Sequence, residues 1–263
     1  MTAFTDLLAA MTEADGTFRA TMTDDWLQGR TAYGGLSAAL CLEAARRAVP
    51  DLPPLRSAQF TLIGPASGPL TMTPTVLRRG KSAVFVNVDL VGEAGLAARA
   101  VLSFGVARQS QIAYSALPMP KVTPVEDSPP FFPDNRTTIT FQQHFEHRLA
   151  GGTRPMTPGA RPEYLIWYRH RDPKARAGIV PLIALADGPP PAIMALFPQF
   201  APISTMTWSV DVLSDAPATT DGWWLIQSLA TTAHQGYSTQ SMMVWNADGA
   251  PVIAHAQNVA IFL

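Results

Sequence analysis

At 263 residues, with 47% hydrophobic and 15% charged residues and a net charge of −1, the chain can bury a sizeable core. It shows no Lys/Arg run longer than a pair, which excludes the basic footprint of a nucleic-acid binder. The lone Cys41 rules out an internal disulfide. The first residues lack a secretory pattern, and no apolar run approaches ~18 residues, so a cytoplasmic protein without a membrane partner is expected.

Phe4, Leu7, Leu8 and Met11 fall at helical spacing and predict a short amphipathic helix. Residues 16–23 read as a strand. Gly34 and Gly35 open the segment 36–47, which is apolar around most of its circumference until Arg46 and Arg47. Such a helix is buried, its cations suit the C-terminal end of the macrodipole, and Pro50, Pro53 and Pro54 stop it. Strands follow at 57–63, 70–77, 82–91 and 96–107. In the third, Val84, Val86, Val88 and Leu90 alternate with Asn87 and Asp89. Gly92-Glu93-Ala94-Gly95 marks a hairpin turn. A buried helix wrapped by an antiparallel meander is an α+β unit.

Residues 115–135 hold six prolines and read as an extended linker between units 1–114 and 136–263. In the second unit 138–149 and 163–170 read as strands, and 182–197 is the counterpart of the buried helix. Proline is tolerated in a first turn and not in a helix interior, so Pro189, Pro190 and Pro191 predict that this helix starts about there and is short. Strands at 204–212, 222–232, 238–245 and 251–262 complete the unit, with a turn at Asn246-Ala247-Asp248-Gly249.

The two units repeat one another. Gly80 and Gly236 occupy equivalent turns, and Val101 and Gln257 lie at the same offset. Tyr33-Gly34-Gly35 matches Ala186-Asp187-Gly188, and Ser57 matches Thr205. The second unit is therefore polar at three matched positions where the first is apolar or small.

Those three residues are the chemical candidates. Asp187 reads as lying at the mouth of the second buried helix, where an acid is stabilised, and a simple N-cap remains an alternative. Thr205 is an ordinary strand residue by itself. Gln257 interrupts an apolar strand, where an amide is costly to bury without partners. Together an acid, a hydroxyl and an amide can hold a water and accept its proton. Walker A and G-x-S-x-G motifs are absent, and Cys41 reads as packing. His144, His147, His170, His234 and His255 lack metal-ligand spacing, so neither metal nor cofactor is expected.

With these residues in order the chain resembles the double-hotdog acyl-CoA thioesterases, the acyl-CoA thioesterase II (TesB-like) family, from about Phe18 to Phe262. The resembling pieces are Gly34-Gly35, Phe60-Thr61-Leu62-Ile63-Gly64-Pro65, Arg78-Arg79-Gly80-Lys81-Ser82, Ala186-Asp187, Thr205, Trp245-Asn246-Ala247-Asp248-Gly249 and Ala256-Gln257. The resemblance implies a double hotdog of two tandem units and an acyl-CoA substrate. It also implies a hydrolytic water held by Asp187, Thr205 and Gln257. Gly188 is the expected backbone donor to the thioester carbonyl, and Gly34, Gly35, Arg79 and Lys81 are expected at the substrate. The family also implies fatty-acid metabolism and a homodimer. The three consecutive prolines Pro189, Pro190 and Pro191 that follow Asp187, and Thr207 where similar proteins often carry an acid, depart from the pattern.

Two other readings stay open: a non-catalytic acyl-CoA-binding hotdog protein, and an enoyl-CoA hydratase. The latter usually needs a histidine five residues after the acid, and that position is Ala192.

Overall fold

The computed structural model describes residues 1–132 and 139–263. Pro133, the linker's end at 135, the opening of the second unit at 136 and the start of the predicted strand at Thr138 lie outside the described residues.

The first half runs α1 (Phe4–Ala9), β1 (Thr12–Ala14), β2 (Thr17–Thr21), a two-strand flap β3 (Leu27–Gln28) and β4 (Thr31–Ala32), then α2 (Gly34–Ala48). β5 (Leu55–Leu62), β6 (Pro69–Arg79), β7 (Ala83–Gly92) and β8 (Gly95–Gly105) follow. The second half runs β9 (Phe145–Gly152), β10 (Glu163–His170), α3 (Ile179–Ala186), β11 (Ile203–Val212), β12 (Trp224–His234), β13 (Tyr237–Asn246) and β14 (Pro251–Ile261). Twelve strands form one antiparallel sheet in the order β1-β2-β6-β7-β8-β5-β11-β14-β13-β12-β10-β9. The order reads the same from either end once each strand is replaced by its counterpart, so β5 and β11 form a seam on a pseudo-twofold axis. This is the expected α+β double hotdog, with α2 and α3 enclosed by the sheet.

Burial follows sequence closely. From Leu36 to Ala45 only Glu43 escapes burial, because small and apolar residues occupy every face of α2. At the seam Phe60 and Trp208 are direct cross-strand partners with ring centroids 5.2 Å apart, both buried. The N-terminal arm crosses from its own half to the other. The Thr5 N–H and hydroxyl both donate to Asp172, and the Phe4 ring lies 5.1 Å from the His170 ring. The linker lies across the outer face of the second half, where Trp167 and Trp245 donate to the carbonyls of Thr123 and Leu117 at 2.8 and 3.0 Å.

Three expectations need correction. Thr140–His144 is a 3-10 segment, and strand β9 starts only at Phe145. The second helix lies before the prolines, not after them. The repeat alignment is one residue out of step in the last strands. Ala100, Leu102 and Phe104 of β8 are buried, as are His255, Gln257 and Val259 of β14, whereas Val101 lies on the half-exposed side. A one-residue slip exchanges the two faces of a strand, and an offset matched on turns alone cannot detect it.

Candidate active site

α3 ends because Pro189, Pro190 and Pro191 supply no N–H to continue it. Asp187 is its C-cap (φ −95°, ψ 6°), and the Gly188 N–H closes the last turn onto the Leu185 carbonyl at 2.9 Å. Asp187 is therefore not an N-cap of its own helix. It lies instead against the N-terminus of α2, the helix of the other half. A Cβ on Gly34 would lie 2.8 Å from Asp187 Oδ2, and one on Gly35 would lie 2.9 Å from Asp187 Cβ and 2.5 Å from the Ala184 carbonyl. Two glycines thus let the start of one helix touch the end of the other.

The Gly35 N–H bonds the Asp187 carboxylate, and the positive end of α2 favours its charge. Burial acts the other way and more strongly, lifting the Asp187 pKa from 3.8 to about 6 against the hydrogen bonds from Gln257 and Gly35. Two neighbouring phenols remain neutral. Tyr33 and Tyr168 have their pKa values raised, chiefly by burial and further by Asp187.

Gln257 reaches Asp187 as the last member of a relay. The backbone N–H of Ala192 donates to Gln240 Oε1 at 2.9 Å, Gln240 Nε2 donates to Gln257 Oε1 at 2.6 Å, and Gln257 Nε2 donates to Asp187 Oδ1. A second relay holds the next peptide. The Tyr168 hydroxyl donates to Gln142 Oε1, and Gln142 Nε2 donates to the Gly188 carbonyl at 2.6 Å. The Tyr33 hydroxyl meanwhile donates to the Ala184 carbonyl at 3.1 Å. Sequence reasoning missed Gln240, Gln142 and Tyr168. For Gln240 a signal existed, since it and Gln257 lie at similar distances on either side of the turn at 246–249 and are direct partners in the ladder.

Asp187 opens onto a cavity of about 720 Å³, within the range of small-molecule sites. Gly34, Leu62, Phe141, Pro190, Met194 and Thr205 are among its wall residues. Thr205 looks into it from β11 beside a bulge, and among the described residues its hydroxyl bonds neither Asp187 nor Gln257. Gln257 is buried behind Asp187 and does not line the cavity.

The remaining site expectations are redistributed. The Gly188 N–H is already used on Leu185, so it does not serve as a donor to substrate. Gly34, whose N–H has no intrahelical partner, lines the cavity instead. Arg79 donates to the Pro50 carbonyl at 3.1 Å, beyond the far end of α2. Fifteen residues at ~1.5 Å each put that point about 22 Å from Gly34. Arg79, and Lys81 in the hairpin that follows it, therefore lie away from this cavity. Cys41 is fully buried and its pKa is pushed up to about 12, as befits packing. His255 accepts the Trp208 indole N–H at 2.9 Å and burial lowers its pKa to about 3, so it is neutral. Among the described residues no group of three His, Cys, Asp or Glu side chains could hold a metal, and no helix is long and apolar enough to cross a membrane.

The family model described as acyl-CoA thioesterase N-terminal domain matches residues 22–105, and that described as acyl-CoA thioesterase C-terminal domain matches residues 123–261. No curated protein matches. Among solved structures, a conserved hot dog-fold protein of unknown function from Alicyclobacillus acidocaldarius superposes with a TM-score of 0.87 at 23% identity, covering 100% of this chain and 99% of that one. The tesB protein of Mycobacterium avium subs paratuberculosis gives 0.78 at 18% identity, covering 99% and 100%. Acyl-CoA thioesterase II TesB2 from Mycobacterium marinum gives 0.76 at 18% identity, covering 98% and 97%. At these identities the structural likeness establishes the hotdog fold.

Proposed function

Because this chain belongs to the acyl-CoA thioesterase family, we propose that its cavity hydrolyses acyl-CoA thioesters by direct attack of a water activated by Asp187. The observation that carries this reading is a carboxylate with a pKa near 6 at the head of a helix and at the wall of a mostly apolar cavity. A base with that pKa is ionised at neutral pH and still able to take a proton.

The water oxygen attacks the thioester carbonyl carbon while Asp187 accepts its proton. The oxyanion develops toward the N-terminus of α2, where the Gly34 N–H and the helix dipole favour negative charge. Collapse breaks the C–S bond, and the proton held by Asp187 passes to the departing sulfur, giving free acid and CoA thiol. Thr205 gives the water a second hydrogen-bond partner, and Gln257 acts through Asp187 by fixing its carboxylate plane. The apolar walls suit a hydrophobic acyl group, and a place in fatty-acid metabolism, a cytoplasmic location and a homodimer extend the same reading.

Thiol release from short, long and aromatic acyl-CoAs tests it. The wild type should turn over at least one of them, with activity rising through about pH 6. Asp187→Asn should lose about 10²–10³-fold in kcat with its fold intact. Binding of CoA esters without turnover in the wild type would instead identify a binding protein.

A further inference from the structure

The geometry points to Gln240 as a positioning residue of this reaction: it sets which end of the Gln257 amide faces Asp187. This rests on Asp187 being the base.

One donor in the relay has a fixed identity. A backbone N–H can only donate, so the bond from Ala192 fixes the oxygen of Gln240 toward Ala192. The NH₂ of Gln240 must then face Gln257, whose partnered atom is its oxygen. That orientation leaves the Gln257 NH₂ for Asp187. Each amide has two faces of opposite character, and one wrong choice would set a carbonyl oxygen against the carboxylate. Both amides are buried, at 2% and 4% exposure, so water cannot compensate for a flipped arrangement.

The anchor of the relay is also informative. Ala192 opens the 3-10 segment Ala192–Leu196 that follows Pro189, Pro190 and Pro191, and this stretch supplies part of the cavity wall. The carboxylate is thereby tied to the wall that an acyl group would touch. The titratable groups packed around Asp187 are the neutral phenols Tyr33, from the start of α2, and Tyr168, from β10. His255, two positions before Gln257 on the same strand, is neutral and engaged with Trp208. None of these can replace the donor that Gln257 presents.

Gln240→Glu separates positioning from packing. The introduced carboxylate keeps the shape and the acceptor for Ala192 but offers no donor, so Gln257 turns its NH₂ toward that carboxylate and its oxygen toward Asp187. The expected result is a 10–100-fold fall in kcat, KM within about threefold, and an acid limb moved up by about one pH unit. Gln240→Met, which only removes the relay, should lose less. In a Gln257→Leu background Gln240→Glu should add almost nothing, because its effect travels through that amide.

Carbon-13 NMR titration of the aspartate carboxyls, assigned with Asp187→Asn, gives a readout that needs no turnover. Asp187 should titrate higher in Gln240→Glu than in wild type, and the rise should shrink in the Gln257→Leu background, where only the direct repulsion between the two carboxylates is left. An unmoved Asp187 titration, or a loss of kcat undiminished in the Gln257→Leu background, would overturn the positioning role. A wild type that turns over no thioester, with Asp187 still titrating higher in Gln240→Glu, would defeat the proposed activity and leave the relay standing. Thermal melts identify variants that fail to fold; if Gln240→Glu is one, Gln240→Met should show a smaller rise of the Asp187 titration, and no rise in it would overturn the positioning role.

Discussion

Asp187 is held in a state that costs the fold something. The native carboxyl keeps its proton up to about pH 6, while an unperturbed one releases it near 3.8. The folded chain therefore binds more protons within that window, and its stability falls as pH rises from about 4 to about 6. At ~1.4 kcal/mol per pH unit the loss is up to about 3 kcal/mol. Asp187→Asn cannot ionise, so its stability relative to wild type should be greater at pH 8 than at pH 4 by about 1–3 kcal/mol. Chemical denaturation of both proteins at the two pH values measures this, and an unchanged difference would contradict the raised pKa. Asp187 and Gln257 were legible in the sequence because polar residues amid apolar ones demand an explanation. Their partners were less so: Gln240 sits in the polar run Ser238-Thr239-Gln240-Ser241, where only its place opposite Gln257 across the turn at 246–249 marks the amide as inward.

At the scale of elements, the decisive contact is between two helix ends. Gly→Ala in a helix interior ordinarily stabilises by up to ~1 kcal/mol. At Gly35 the new methyl would meet the Ala184 backbone oxygen at 2.5 Å and the Tyr33 ring at 2.7 Å, so α2 and α3 must separate. Gly35→Ala should therefore destabilise by about 1–3 kcal/mol and depress activity, read by a denaturant melt beside a turnover assay. Most elements could be placed from period and punctuation. β10 matches its predicted bounds, 163–170, and α2 matches to within a residue or two. The second helix was misplaced because a proline cluster fits either end of a helix, and here it stops one. The 3-10 segment Thr140–His144 was read as strand because its tertiary role is invisible locally. Gln142 and Phe141 face the cavity, and His144 stacks on Trp26 at 3.6 Å.

At the scale of the molecule, duplication was legible and its geometry was not. Turns at Gly80 and Gly236 announce two copies, but neither shows that the copies are mates around a shared seam, with the acid of one at the helix head of the other. A cut between the two units would therefore divide the site. Residues 106–116 run without secondary structure and are exposed, Ile112 and Tyr114 among the most open side chains of all. Neither product of a break there holds a whole site, since Gly34 goes with one piece and Asp187 with the other. Co-expressed as separate polypeptides, 1–110 and 111–263 should reassemble through the β5–β11 edge and regain activity only together, with a rate that declines on dilution. The chain would then behave as a two-part reporter of its own association, silent as halves and active as a pair.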